Sequence, residues 1–229
     1  MVTIRQNDGS SVPFWGRYDH SRAEIIADGL VHAIGLLAAI CVGAALLTLA
    51  ASHAGPWEYA AALLYVLCLL TVLSVSLAYN LWPISPTKWV LRRIDHAAIY
   101  MLIAATYMPF LAQLDDAGLA LAMSLFVWGA AAMGIIVKLF MPGRFDRLAI
   151  LLYLAIGWSG ALVANSVASV LPTSTMWLLA SGGVAYSAGI VFFLWQELRF
   201  QSAAWHGFVV LGAGLHLAAV MDCLVVARA

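Results

Sequence analysis

Residues 23–52 read AEIIADGLVHAIGLLAAICVGAALLTLAAS. The run is long enough to cross a bilayer, which needs roughly 20 mostly apolar helical residues because lipid offers no partner to free backbone groups. Its first turns nevertheless carry Glu24, Asp28 and His32. Spaced four apart, the three stack on one helical face over about 12 Å at 1.5 Å per residue. Ionisable groups within a span are costly and usually face a bundle interior or a cavity. The same stretch therefore marks a membrane span and a place where polar chemistry is held inside it.

Six more segments repeat the pattern: 57–82, 93–113, 117–141, 145–167, 174–197 and 203–226. The breaks between them carry helix-ending residues: His53-Ala54-Gly55-Pro56, Pro83-Ile84-Ser85-Pro86, Asp115-Asp116, Pro142-Gly143-Arg144 and Leu171-Pro172-Thr173. Short links predict antiparallel neighbours. The expected fold is all-α, a seven-transmembrane-helix bundle over 23–226 preceded by a cytoplasmic N-terminal segment, 1–22. That segment lacks the basic start, short apolar run and small-residue cleavage site of a secretory signal, so the first span is expected to be retained.

Composition agrees. Of 229 residues, 64% are hydrophobic and 10% charged, with a mean hydropathy of +0.96, more apolar surface than one water-soluble core can hide. A formal net charge of zero and the lack of a basic run argue against nucleic-acid binding. Cys41, Cys68 and Cys223 lie in apolar runs without short paired spacing and read as small buried hydrophobes. With the N-terminus inside, Arg5, Arg17, Arg22, Lys88, Arg92, Arg93, Lys138, Arg144, Arg147 and Arg199 fall on the cytoplasmic side, and only Arg228 on the other. The positive-inside rule then predicts N-terminus in and C-terminus out.

Polar residues recur at the same depth in other spans. Ser76 and Asn80 sit one turn apart near the end of span two, Asp95 follows Arg92-Arg93 at the start of span three, and Ser202 and His206 open span seven. Each has a structural explanation: Glu24 as a first-turn acid favoured by the helix dipole, Asp28 and His32 as a buried hydrogen-bonded lock, Ser76 and Asn80 as interhelical glue. Asp95 could equally be an ion-pair partner, and His206 a satisfied interhelical histidine. The match in depth across four spans favours one water-accessible site. His216, about 15 Å deeper by helical rise, and Asp222, nearer the outer end, read as packing or hydrogen-bonding residues.

The order E-x3-D-x3-H, then S-x3-N, then RRIDHAAIYMLIAATYMPF, then AWHGFVVLGAGLH resembles the bacterial hemolysin III family, which belongs with the progestin and adiponectin receptors and, more distantly, the alkaline ceramidases. The resemblance runs from about Arg22 to Val220. It implies seven helices, a bacterial inner-membrane location and an intramembrane zinc site near the cytoplasmic face. Three histidines hold the metal in the family pattern, one ending S-x3-H in span two and two forming H-x3-H in span seven. Ser76, Asp95 and His206 match that pattern. Asn80 and Ser202 stand where the other two ligands are expected, and Asp28 stands where the family has Asn, with His32 retained.

Zinc thus remains a candidate cofactor with His206 as the one matching ligand, and with Asp28, His32 or Asp95 as replacements if they turn inward. Three functions follow. The first is a metal-assisted lipid amidohydrolase acting on a ceramide-like substrate, in which Asp95 orients or deprotonates water, Ser76 steadies the oxyanion, and His206 binds metal or shuttles protons. The second is a non-enzymatic membrane sensor or lipid-binding protein that has lost the metal. The third is a cytolytic or pore-forming protein, disfavoured because so continuously apolar a chain has no soluble form. Serine nucleophilic catalysis lacks support in the sequence, since no partner histidine occupies a sequence-evident position beside Ser76. Membrane lipids, one of them a candidate substrate, are the expected partners.

Overall fold

The computed structural model describes residues 2–5, 11–14, 20–141 and 146–228. Helix α1 spans Arg22–His53 and is opened by a reciprocal cap: Ser21 Oγ accepts the Glu24 N–H at 3.3 Å while Glu24 Oε2 accepts the Ser21 N–H at 2.8 Å. Such a capping box satisfies two of the donors that a helix start leaves free. The buried residues of α1 are Glu24, Asp28, His32, Gly35, Ala39, Gly43, Leu46 and Ala50. Steps of three and four make them one stripe, polar for three turns and then mostly small, so neighbouring helices can approach. A Cβ on Gly35 would lie 2.6 Å from Val210 Cγ2, and one on Gly43 would lie 3.0 Å from Val66 Cγ1.

Helices α2 (Pro56–Leu81), α3 (Pro86–Leu111) and α4 (Ala117–Phe140) follow in hairpin succession. The α2–α3 corner is closed by Lys88, whose Nζ donates to the carbonyls of Tyr79 and Trp82 at 2.8 Å and of Asn80 at 3.2 Å. A lysine there satisfies carbonyls that the end of α2 leaves without partners. Helix α3 starts at Pro86, seven residues ahead of the sequence expectation of 93. Ser85 Oγ caps the Lys88 N–H at 3.3 Å and Pro86 occupies the first helical position, where its missing N–H costs nothing. Hydropathy locates the lipid-facing part of a helix, whereas capping decides where it begins.

The fifth span is α5 (Asp146–Trp158), a 3-10 turn over Ser159–Val163 and the short α6 (Ala164–Ala168). Tyr107 of α3 reaches the interruption: its hydroxyl lies 2.7 Å from the Ile156 carbonyl and 2.9 Å from that of Gly157, and it accepts the Gly160 N–H at 2.9 Å. Backbone groups freed inside a membrane need such a partner, and a neighbouring side chain supplies it. Helices α7 (Thr173–Leu194) and α8 (Gln201–Leu224) complete seven helical spans long and apolar enough to cross a membrane. The break expected at Pro142-Gly143-Arg144, and Arg17 of the orientation argument, lie outside the described residues.

The helices form a closed ring, with α1 against α2 and α8, α7 against α8, and α3 touching α2, α4, α5 and α8. One apolar core gathers Leu46, Tyr65, Leu69, Val220 and Leu224 between α1, α2 and α8; a second gathers Tyr100, Ala104, Val127, Ala131 and Ile156 between α3, α4 and α5. Large apolar side chains such as Ile34, Leu125 and Leu162 point outward, as expected of a surface facing hydrocarbon, and so does Cys41, against the expectation that all three cysteines are buried; Cys68 and Cys223 are. In the N-terminal segment, Val2–Arg5 (β1) pairs antiparallel with Ser11–Phe14 (β2), with Val2 opposite Phe14 and Arg5 opposite Ser11. This small ribbon is an addition to the expected all-helical chain; its composition carries no strand alternation long enough to read.

Candidate metal centre

Four helices bring their polar turns together. From α1, Asp28 and His32 face inward, with side chains 7% and 2% exposed. From α8, His206 Nδ1 donates to Asp28 Oδ1 at 2.6 Å. The rings of His32 and His206 lie 4.2 Å apart, centroid to centroid. The α2 contribution is Ser76, whose Oγ is 3.1 Å from His32 Nε2. The α3 contribution is Asp95, buried beside Ser76 and within the electrostatic reach of His206, Arg92 and Asp28. Asp28 and His32 therefore share one site with Asp95 and His206.

The two positions that depart from the family's ligand pattern remain attached to this site. Asn80 Nδ2 donates to the Ser76 carbonyl at 2.9 Å and lies 3.4 Å from Ser76 Oγ. Ser202 Oγ lies 3.4 Å from His206 Nδ1 and also interacts with Asp28. Neither side chain is a strong zinc donor, and both instead hold residues that could do the chemistry.

Glu24 has a different place. Its Oε2 is committed to the α1 cap and to Ser21 Oγ at 2.8 Å, while Oε1 accepts the Phe200 N–H at 3.2 Å. Phe200 has φ 59°, in the left-handed region that a non-glycine residue enters at a cost. Glu24 thus ties the start of α1 to the start of α8. Asp28 follows one turn later on α1, and His206 follows on α8. The carboxylate fixes the register at which those two meet, but it lies outside the group able to hold a metal.

Asp28, His32 and His206 form that group: one carboxylate oxygen and two imidazole nitrogens, all within 4.8 Å of one another. Two imidazoles and a carboxylate with a fourth position open is a donor set that catalytic zinc uses. The residues present fit a divalent metal, through a set shifted from α2 and the first turn of α8 onto α1. Sequence reading singled out all three residues but could not pair them. It missed the His32–Ser76 contact altogether, although shared depth was a signal, because residues 44 positions apart meet only through helix packing.

An apolar cavity of about 510 Å³ begins beside the site, lined by Gly35, Ala39, Leu73, Val210, Ala213 and Leu217 among others, and continues to Asp222 and Val226. Gly35, Leu73 and Val210 are each one helical turn from His32, Ser76 and His206, respectively. Ala38, Val42 and Gly214, also on its wall, are exposed on the outer surface of the bundle. At the opposite end of the bundle His216 Nδ1 bonds the Gly212 carbonyl at 2.8 Å, and Asp222 accepts from Ser174 at 2.7 Å and Thr175 at 2.6 Å. Both have the packing and hydrogen-bonding roles expected of them.

Seven membrane-crossing helices around a buried histidine, carboxylate and serine site define an integral membrane protein with a candidate metal centre. The chain belongs to the Haemolysin-III related family, whose model matches residues 23–217, and with it to the progestin and adiponectin receptor superfamily. It is 35% identical over 191 residues to a hemolysin-3 homolog of Bacillus subtilis (strain 168), covering 83% of this chain and 89% of that protein. It is 33% identical over 193 residues to hemolysin-3 of Bacillus cereus, covering 84% and 88%. It is also 33% identical over 220 residues to the monocyte to macrophage differentiation factor of Homo sapiens, covering 93% and 89%. No solved structure matches the chain.

Proposed function

We propose that this protein is a metal-dependent lipid amide hydrolase of the bacterial inner membrane, acting on a ceramide-like substrate from a pocket near the cytoplasmic face. The observation that carries the reading is the convergence of Asp28, His32 and His206 within 4.8 Å. These three side chains would hold the metal. When bound, a zinc ion supplies a water of lowered pKa and polarises a carbonyl. Asp95, buried beside Ser76, orients the attacking water and takes its proton. Ser76 donates a hydrogen bond to the developing oxyanion, and Asn80 holds Ser76 in place. The apolar cavity, one turn away, accepts an acyl chain and keeps water from it.

The orientation, N-terminus inside, rests on the lysine and arginine distribution. Membrane lipids are the proposed partners. Metal analysis of protein purified without added metal tests the site: about one divalent ion per chain is expected, and less than about a tenth, unchanged by added zinc, overturns it. Release of fatty acid from a ceramide, compared between the native chain and Asp95→Ala, tests the reaction; equal release removes Asp95 from it.

A second reading, a lipid-binding sensor without catalysis, is favoured by the same cavity. It predicts stoichiometric lipid retention with no product. A cytolytic role is read out by erythrocyte lysis on adding the purified protein, and no lysis is expected from so apolar a chain.

A further inference from the structure

The apolar cavity opens sideways. Ala38 and Val42 of α1 and Gly214 of α8 are exposed on its rim, with Leu178 of α7 also on its wall. Small side chains leave the opening: a Cβ on Gly214 would meet nothing within 4 Å. A lipid chain gains little by leaving the bilayer for such a cleft, because both surroundings are equally apolar. The polar group on the cleft wall therefore decides which amphiphile stays.

Among the described residues, Asp222 is the only ionisable side chain on that wall, and it stands at the end far from the candidate metal centre. An ionisable group inside a span is costly and is by default a functional one. Ser174 and Thr175 of α7 both donate to Asp222 Oδ2, at 2.7 and 2.6 Å. Among the described residues Oδ1 has no hydrogen-bond donor, and the carboxylate has no ion-pair partner. Arg228, the arginine at that end, is held by Glu58 through two hydrogen bonds. The same end carries the carboxylates of Glu58, Asp115, Asp116 and Asp222 against that one guanidinium. Asp222 also lies in the last turn of α8, where free carbonyls add partial negative charge.

We propose that the cleft binds a single-chain amphiphile with a cationic head, a long-chain primary amine, its ammonium on Asp222 Oδ1 and its chain running along α8 toward Val210. An ammonium has three donors and no acceptor, so it brings Oδ1 both the missing donor and the opposite charge. A fatty acid would set carboxylate against carboxylate, and a fatty alcohol brings a donor without the charge. Asp222 and Val210 are about 18 Å apart along α8 by helical rise, which takes most of a hexadecyl chain. Leu69, Leu73, Ala213 and Leu217 line its course. The site needs neither a metal nor hydrolysis. Cleavage of a lipid amide would release an amine of this class, and that link alone rests on the proposed function.

The test uses the full chain in phosphatidylcholine vesicles and hexadecylamine carrying a diazirine at the methyl end of its chain, with photolabelled peptides read by mass spectrometry. Labels are expected around Leu73 and Val210, at the deep end of the cleft. Unlabelled hexadecylamine should displace the probe about tenfold or more better than hexadecanol or palmitic acid, the scale of a hydrogen bond between charged groups over a neutral one. Asp222→Asn keeps an acceptor for Ser174 and Thr175 but removes the charge, and should weaken labelling about ten- to a hundredfold. Displacement by hexadecanol as good as by the amine overturns the cationic site, as does equal labelling of the native chain and Asp222→Asn; the cleft would then be a groove for any lipid chain. Labels confined to the Met221 and Val226 end also overturn it, because the head would lie elsewhere. The comparison of heads uses the native chain, so it stands even if Asp222→Asn does not fold. The readout is binding, so a chain without metal or hydrolytic activity still reports on this site, and the two readings fail separately.

Discussion

Two polar layers lie at opposite ends of the bundle, and they are built on different principles. At one end, Arg228 meets Glu58 with two parallel hydrogen bonds of 2.7 and 2.6 Å, and also donates to Gln113 and to the His53 carbonyl. Asp222 is matched there by two hydroxyl donors. Donors face acceptors, the fork of arginine matches the carboxylate, and the layer fastens the C-terminal turn to α1, α2 and the turn that follows α3. At the other end, Asp28, His32 and His206 bring a carboxylate oxygen and two imidazole nitrogens within 4.8 Å of one another, with His206 donating to Asp28. These are residue types that a divalent metal takes as ligands. Depth in the membrane alone would not distinguish the layers; the metal-capable set of side chains in one of them does.

Substitutions in the two layers should therefore behave differently. The largest effect is expected from Asp28→Asn, which should reduce bound metal from about one equivalent to background by elemental analysis, whereas Arg228→Ala should leave metal content as it is. Next is Asp95→Ala, expected to lower ceramide hydrolysis by about a hundredfold or more at unchanged metal content; a fall in metal content would make it a ligand instead. Adding Asn80→His and Ser202→His to Asp28→Asn should restore metal by recreating the family's three-histidine set, and failure would refute the positional match of those two sites. Smaller still, Gly35→Val should cost about 1–3 kcal/mol of bundle stability through its collision with Val210. The smallest change is expected for Arg228→Ala, a partly exposed pair worth about 1 kcal/mol or less, lowering Tm by about 3 °C. A larger loss would mean that the Arg228 layer does more than fasten a terminus.

How far the sequence could be read follows the range of the interactions involved. Hydropathy located every span because each depends on some 20 consecutive residues meeting one solvent. It misjudged the start of α3, because Ser85 and Pro86 act through capping rather than apolarity. It could not see the 3-10 interruption after Trp158, whose carbonyls are served by Tyr107 from another helix. At the site, spacing of four put Asp28 with His32, and Ser202 with His206, on single faces. The residue types also carried the family resemblance, including the departures at Asn80 and Ser202.

The sequence by itself determined seven spans, the depth of the polar turns and which side chains each helix offers. These are properties of a helix of fixed rise in a solvent of fixed thickness. Only the tertiary structure decided who meets whom: Asp28 with His206, His32 with Ser76, and Glu24 with the turn at Phe200. Those pairings depend on the rotation and close approach of helices, set by small residues such as Gly35 against Val210. Through them, a chain lacking two of its family's metal ligands comes to assemble another donor set from α1 and α8.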